Sequence, residues 1–137
     1  MSDMTHLFEK IAAGEIASHE VYSNDFVYAF LDINPLSRGH TIVIPRNRYE
    51  TLADLPDDVG AALGEALPGI ARAVVRATGA TAYNILQNNG REAGQVVPHV
   101  HFHIIPRFED GSGLQVRWDA GELKDGEHLS EQIRNAF

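Results

Sequence analysis

Pro98-His99-Val100-His101-Phe102-His103-Ile104-Ile105-Pro106-Arg107 sets three of the chain's seven histidines in strict alternation with apolar residues. A period of two marks a half-buried strand, because successive side chains leave a strand on opposite faces. The pattern predicts a strand over 99–107, with His99, His101 and His103 on one face and Val100, Phe102 and Ile104 turned into a core. Upstream, the β-branched run HTIVIP at 40–45 closes on a proline, and 82–87 reads as a strand ending at Asn88-Asn89-Gly90, a strong turn signal. Residues 21–23 and 26–32 flank Asn24-Asp25 as a hairpin.

Helical spacing accounts for most of the remainder. Leu7, Phe8, Ile11 and Ala12 recur every three or four residues over 5–13, and Gly14 is a natural stop. Pro56-Asp57-Asp58 opens a longer helix, with two carboxylates near its positive end. Val59, Leu63, Leu67, Ile70 and Val74 then share a face until Gly79, and Pro68 predicts a bend. A short strand at 114–118 and a short helix at 128–137 follow. Strands this close in sequence pair antiparallel, so the fold class is α+β with segregated elements, not alternating α/β.

Composition narrows the function. The 137 residues are one domain's worth, with 44% apolar and 22% charged residues, and no repeat or linker divides them. The motifs fall within about 5–107, leaving 108–137 as a C-terminal extension of a single domain, 1–137. With no cysteine, the chain has no disulfide framework, no thiolate nucleophile and no cysteine-based metal site. A net charge of −8 without a basic run argues against long nucleic acids and anionic membranes as partners. No apolar stretch is long enough to span a bilayer, and MSDMTHLFEK is too polar for a signal peptide, so a cytoplasmic location is expected.

Two chemistries fit three aligned imidazoles. One is metal binding through a His-x-His pair. At about 3.3 Å per residue, His99 and His103 lie ~13 Å apart, so at most two of the three reach one ion. The other is nucleophilic attack on phosphorus by a neutral imidazole, held in one tautomer by an acceptor for its second ring N–H. His101, flanked on both sides, is then the candidate nucleophile. The preceding loop, Gly90-Arg91-Glu92-Ala93-Gly94-Gln95-Val96, suits an anion: glycine lets backbone N–H groups approach closely, and Gln95 brings an amide donor.

Taken together, Gly94-Gln95-x-Val97-x-His99-x-His101-x-His103 resembles the signature of the histidine-triad (HIT) superfamily of nucleotide hydrolases and transferases. Leu7-Phe8-x-Lys10-Ile11, Gly14-Glu15-Ile16, the run 29–35 (AFLDINP), the run 39–46 (GHTIVIPR) and Gln87-Asn88-Asn89-Gly90 are similar to family segments in the same order. The resemblance implies a five-stranded antiparallel sheet with one long and one or two short helices. It also implies a homodimer with a continuous ten-stranded sheet, and attack by His101 on the α-phosphorus of a purine nucleotide through a covalent nucleotidyl-histidine. By the same likeness, Asp32 takes the ribose hydroxyls, and Leu7, Phe8, Ile11, Ile16, Phe30 and Ile33 enclose the base. Asn88, Gly94, Gln95, Val96 and His103 surround the phosphates, and His99 and His40 support the nucleophile. No cofactor is implied.

Two positions depart from the family pattern. Where many members carry a serine that assists the leaving group, this chain has Val96. Many bacterial members also hold a structural zinc, and the corresponding positions here are His6, Glu9, Arg48 and His99. A guanidinium is never a ligand, so no metal is expected, and Arg48 is expected to pair with Glu9 in its place. The enzyme reading therefore stands beside an alternative, a nucleotide-binding sensor or partner protein with little turnover.

Overall fold

A computed structural model describes residues 3–137. In chain order the elements are α1 (Leu7–Ala12), β1 (Glu20–Ser23), β2 (Val27–Leu31), β3 (Thr41–Pro45), α2 (Asp57–Thr78), β4 (Ala82–Leu86), β5 (Phe102–Arg107) and α3 (Gly126–Arg134). Short 3-10 turns at Leu52–Asp54 and Arg91–Ala93 punctuate the two long connections. The five strands form one antiparallel sheet in the order β1-β2-β3-β5-β4. This is the α+β architecture that the residue pattern predicts.

Alternation along the strands divides the core between the two faces of the sheet. Val27, Ala29, Val43 and Ile104 pack against Val59, Leu63, Ala66, Ile70, Ala71 and Val74 of α2. Tyr28, Phe30, Ile42 and Ile44 point the other way and meet Phe8, Ile11 and Val97. Burying each large aliphatic side chain contributes on the order of 1.5–3 kcal/mol, so this double-sided packing of β2 and β3 is the main cohesion of the fold. Helix α2 begins after Pro56, carries Asp57 and Asp58 in its first turn, continues through Pro68, and ends on Gly79 in the left-handed conformation. Among the described residues, no helix is long and apolar enough to cross a membrane.

Three boundaries differ from expectation. Strand β5 starts at Phe102, so His99 and His101 precede it outside the ladder, after a bend at 97–99 in which the His99 amide donates to the Val97 carbonyl. The cause is a change of partner: the Val100 amide donates to the Tyr49 carbonyl, and the Pro45 carbonyl is met by the His99 ring instead of a strand amide. Residues 114–118 form no strand, since no ladder partner stands beside them. The last helix is Gly126–Arg134 and not 128–137.

Candidate active site

Residues on the α1 face of the sheet converge at the start of β3 and β5. His103 lies opposite Ile42 in the β3–β5 register, and His40 immediately precedes β3. Their rings meet, with His40 Nε2 2.9 Å from His103 Nδ1. The other ring nitrogen of His40, Nδ1, lies 3.1 Å from the Leu36 amide. A backbone amide only donates, so His40 Nδ1 is an acceptor and the ring proton sits on Nε2. That proton is donated to His103 Nδ1, which leaves the His103 proton on Nε2. Among the described residues His103 Nε2 has no partner, and it opens to solvent.

His101 is fixed the opposite way. Its Nδ1–H donates to the His99 carbonyl at 2.7 Å, so Nε2 carries a lone pair, which has no partner among the described residues and reaches solvent. Phe8 holds this ring edge-to-face at 5.1 Å between centroids, and His103 lies 4.9 Å away on another side. His99, fully buried, donates Nε2–H to the Pro45 carbonyl at 2.8 Å and also packs edge-on against Phe8. The three histidines thus divide the work: His99 ties the segment to β3, His101 presents a lone pair, and His103 presents a donor.

Burial keeps all four imidazoles neutral. Desolvation is the main cause of a pKa below the ordinary histidine value at His40, His99 and His101. For His40 and His101 the Asp32 carboxylate opposes that shift, and for His101 the His99 carbonyl opposes it as well. Desolvation, reinforced by His101 and His40, brings His103 to about 4. Asp32 has one oxygen on the Asn34 amide at 2.8 Å and the other 3.6 Å from His40 Nε2. It remains half-buried at the mouth of the site.

In the glycine loop, Gly94 adopts φ +96°, and a Cβ there would approach Asn88 Nδ2 to 3.3 Å. The Val96 and Val97 amides donate to no acceptor among the described residues, and Val96 is 71% exposed. Gln95 is placed differently from expectation. Its Nε2 donates to the Glu50 and Val97 carbonyls at 2.7 and 3.1 Å, and its Oε1 accepts from the Gly90 amide at 2.8 Å. Both amide hydrogens are therefore committed to backbone, and Gln95 shapes the loop without presenting a free donor. A cleft of ≈ 510 Å³ runs along the outer side of this loop, bordered by Glu50, Arg91 and Val96, and contains no histidine.

The apolar candidates separate into two groups. Phe8, Ile11 and Phe30 are buried in one cluster, with Leu7 packed against it. Ile16 and Ile33 are exposed, Ile33 at 81%. The Leu36 amide, 3.1 Å from His40 Nδ1, is not legible in the sequence, because a backbone donor has no residue signature.

Metal-ligating groups gather in two places. Asp32, His40 and His103 bring ligand atoms within 4.8 Å of one another. Binding an ion through His40 Nε2 would move the ring proton to Nδ1, against the Leu36 amide at 3.1 Å, so this trio fits a proton-ordered chain and not a metal. At the position of the family's structural zinc the residues do not fit either. His6 Nδ1 and Glu9 Oε1 engage each other at 2.7 Å, and Arg48 adds a cation with Nε buried and unpartnered. The expected Arg48–Glu9 pair does not form; His6 takes that carboxylate.

Comparison with known proteins agrees with this geometry. Residues 13–110 match the family model described as HIT domain. Adenosine 5'-monophosphoramidase HNT1 of Saccharomyces cerevisiae is 43% identical over 120 residues, covering 88% of this chain and 73% of that protein. Adenylylsulfatase HINT3 of Arabidopsis thaliana is 47% identical over 103 residues, covering 75% of this chain and 52%, about half, of that longer protein. A crystal structure of a HIT family member from Bacillus subtilis superposes with a TM-score of 0.90 at 38% identity, over 96% of each chain. The aligned histidines, the sheet that carries them and these matches make the chain a member of the HIT family.

Proposed function

We propose that the protein is a purine-nucleotide hydrolase or transferase that works through a nucleotidyl-histidine at His101. One observation carries this reading: the unpartnered Nε2 lone pair of His101, opposite an Nδ1–H held on the His99 carbonyl at 2.7 Å. With an adenosine phosphoramidate, Nε2 forms a bond to the α-phosphorus, the P–N bond to the amine breaks, and the amine leaves with a proton from solvent. The His101–AMP adduct carries positive charge on its ring, which the His99 carbonyl stabilises. Water then attacks phosphorus, the P–N bond to His101 breaks, AMP departs, and the proton lost by that water returns to solvent.

The other residues have supporting roles. His103 Nε2–H and the free Val96 and Val97 amides donate to phosphate oxygens, with Asn88 and Gly94 shaping that side. Asp32 accepts from the ribose hydroxyls, and exposed Ile16 and Ile33 close on the purine over the buried Phe8, Ile11 and Phe30. An acyl- or aminoacyl-adenylate and a dinucleoside polyphosphate present the same α-phosphorus and differ in leaving group. The names of the yeast and plant relatives support a small adenosine substrate.

The assembly we propose is a homodimer joined through β4. Both β1 and β4 are sheet edges, but β1 contains an irregularity between Glu20 and Tyr22 and bears that glutamate, which blunts an edge. Strand β4 is regular, carries no charge, and exposes Tyr83 and Ile85. Two copies of this edge in antiparallel pairing give a ten-stranded sheet.

The test is intact-mass analysis of samples quenched after mixing with an adenosine phosphoramidate, beside His101→Ala. A transient, acid-labile gain of one AMP on the wild type alone is expected. No adduct and no AMP release would favour the second reading, a nucleotide-binding sensor, for which Val96 in place of a hydroxyl residue is the specific observation.

A further inference from the structure

In the loop 33–39, residues 33–36 and 38 are exposed and Gly39 is half-exposed, while Ser37 is buried. Its hydroxyl donates to the Pro106 carbonyl, 69 residues away, at 2.6 Å. Pro106 lies on β5 beyond the last β3 pairing, which joins Thr41 to Ile104. Ser37 therefore satisfies a ladder carbonyl that β3 has already left, and it pins the loop to the strand that bears His103. Ser37 also supplies the carbonyl that accepts from the His40 amide at 3.1 Å. The adjacent Leu36 amide points at His40 Nδ1 from 3.1 Å.

From this chain of contacts we infer that Ser37 is a positioning residue for the reaction, acting through the loop 33–39 to order the protons on His40 and His103. The inference rests on the proposed role of His103 as a donor to the transferring phosphate. Without the Leu36 amide fixed in place, only the Asp32 carboxylate, 3.6 Å from His40 Nε2, still favours a proton on that nitrogen. A proton on His40 Nδ1 leaves Nε2 as an acceptor, His103 then donates from Nδ1, and His103 Nε2 turns from donor to acceptor. An acceptor there would repel a phosphate oxygen. Anchored, the loop holds the whole column in the donating sense before substrate arrives, so no reorganisation is needed at the moment of transfer. The anchor is a hydroxyl bonded to the Pro106 carbonyl and not to the ring nitrogens it orders.

Long-range proton–nitrogen correlation of the histidine rings in 15N-labelled protein reads this directly and without substrate. The wild type is expected to show His40 and His103 both protonated on Nε2, against His101 protonated on Nδ1. In Ser37→Ala the His40 and His103 patterns should shift toward tautomer averaging, while His99 and His101, tied to the Pro45 and His99 carbonyls, stay as they were. With an adenosine phosphoramidate, kcat should fall roughly tenfold, part of the ~10²–10³-fold a preorganised hydrogen-bond donor supplies, with KM little changed. Ser37→Thr, which retains the hydroxyl, should restore both readouts. A wild-type His103 protonated on Nδ1 overturns the inference even if Ser37→Ala fails to fold. Unaltered His40 and His103 signals in a folded Ser37→Ala overturn it equally. If the tautomers are as expected but the wild type releases no AMP, the proposed function fails and the positioning role of Ser37 stands.

Discussion

The ring of His101 donates from Nδ1 to the carbonyl oxygen of His99, two residues earlier in the chain, across 2.7 Å. This contact is possible only because the segment leaves the sheet: in a paired strand that carbonyl would face a ladder amide. The backbone thus serves as the tautomer-fixing acceptor that other nucleophilic histidines obtain from a carboxylate. Removing the nucleophile should therefore abolish turnover without harming the fold. For His101→Ala, kcat/KM should fall by roughly 10³–10⁶-fold, as for other enzymes stripped of their nucleophile. Thermal unfolding should stay cooperative, because neighbouring Phe8 remains packed on Phe30 and His99. Residual turnover above one-hundredth of wild type would place the nucleophile elsewhere.

The acid limb of the rate profile tests the same ring. His101 must be neutral to attack, and burial lowers its pKa despite the Asp32 carboxylate and the His99 carbonyl. The limb in kcat/KM should then fall at a pH below ~6.5, the value for an unperturbed imidazole. A midpoint at or above that value would contradict a buried neutral nucleophile.

Stability should follow the same direction. His40, His99, His101 and His103 all have depressed folded-state values, His103 at about 4. An unfolded chain takes up these protons first as pH falls, since its histidines titrate near ~6.5. Their effect on stability is absent above that pH and grows as pH drops through it toward about 4, where His103 protonates in the fold. Urea midpoints measured from pH 8 to pH 4.5 should be level at first and then decline. A midpoint that rises on acidification would contradict the burial of these rings.

The histidine pattern on the sequence is enough to mark the family, but it places the strand only in part. Alternation at 99–107 carries over to Phe102–Arg107, where Ile104 and His103 do take opposite faces. At His99 and His101 the chain lies outside the ladder, held by the His99 ring and by the Tyr49 carbonyl, and no local pattern announces such distant partners. Gln95 illustrates the converse. Its amide and its neighbouring glycines suit a phosphate equally well on paper, yet the fold applies that amide to the Glu50 and Val97 carbonyls. Helix α2 was the most legible element, because a five-residue apolar stripe, acidic start and terminal glycine all agree.

Two glycines separate folding from binding. Gly39 adopts φ +89°, and a Cβ there would lie 2.6 Å from Thr78 Cγ2, so Gly39→Ala should destabilise the fold by roughly 2–5 kcal/mol through strain and overpacking. Gly94 has an equally positive φ but faces only the Asn88 amide, at 3.3 Å. Gly94→Ala should cost about 1–2 kcal/mol of stability. It should weaken AMP binding more noticeably by displacing Asn88. Calorimetric titration with AMP beside thermal melts distinguishes them, and equal loss of stability in both variants would contradict the separation.

Val96 is the position at which a single side chain should change the rate alone. It is 71% exposed, packs in neither core cluster, and its amide donates to no acceptor among the described residues. Val96→Ser should thus alter stability by no more than about 0.5 kcal/mol. The new hydroxyl would stand beside the proposed phosphate site and donate to the departing group, which with valine there takes its proton from solvent. One well-placed donor is worth ~10²–10³-fold where the site is preorganised. Because this loop is open to solvent, the expected gain in kcat for an adenosine phosphoramidate is smaller, roughly tenfold, with KM little affected. The gain should be largest for poor leaving groups, such as alkylamines, and should vanish for a good one such as a nitrophenolate. An equal gain for all leaving groups would mean that the hydroxyl acts on binding or on the loop. No gain for any would mean that protonation of the leaving group does not limit the rate.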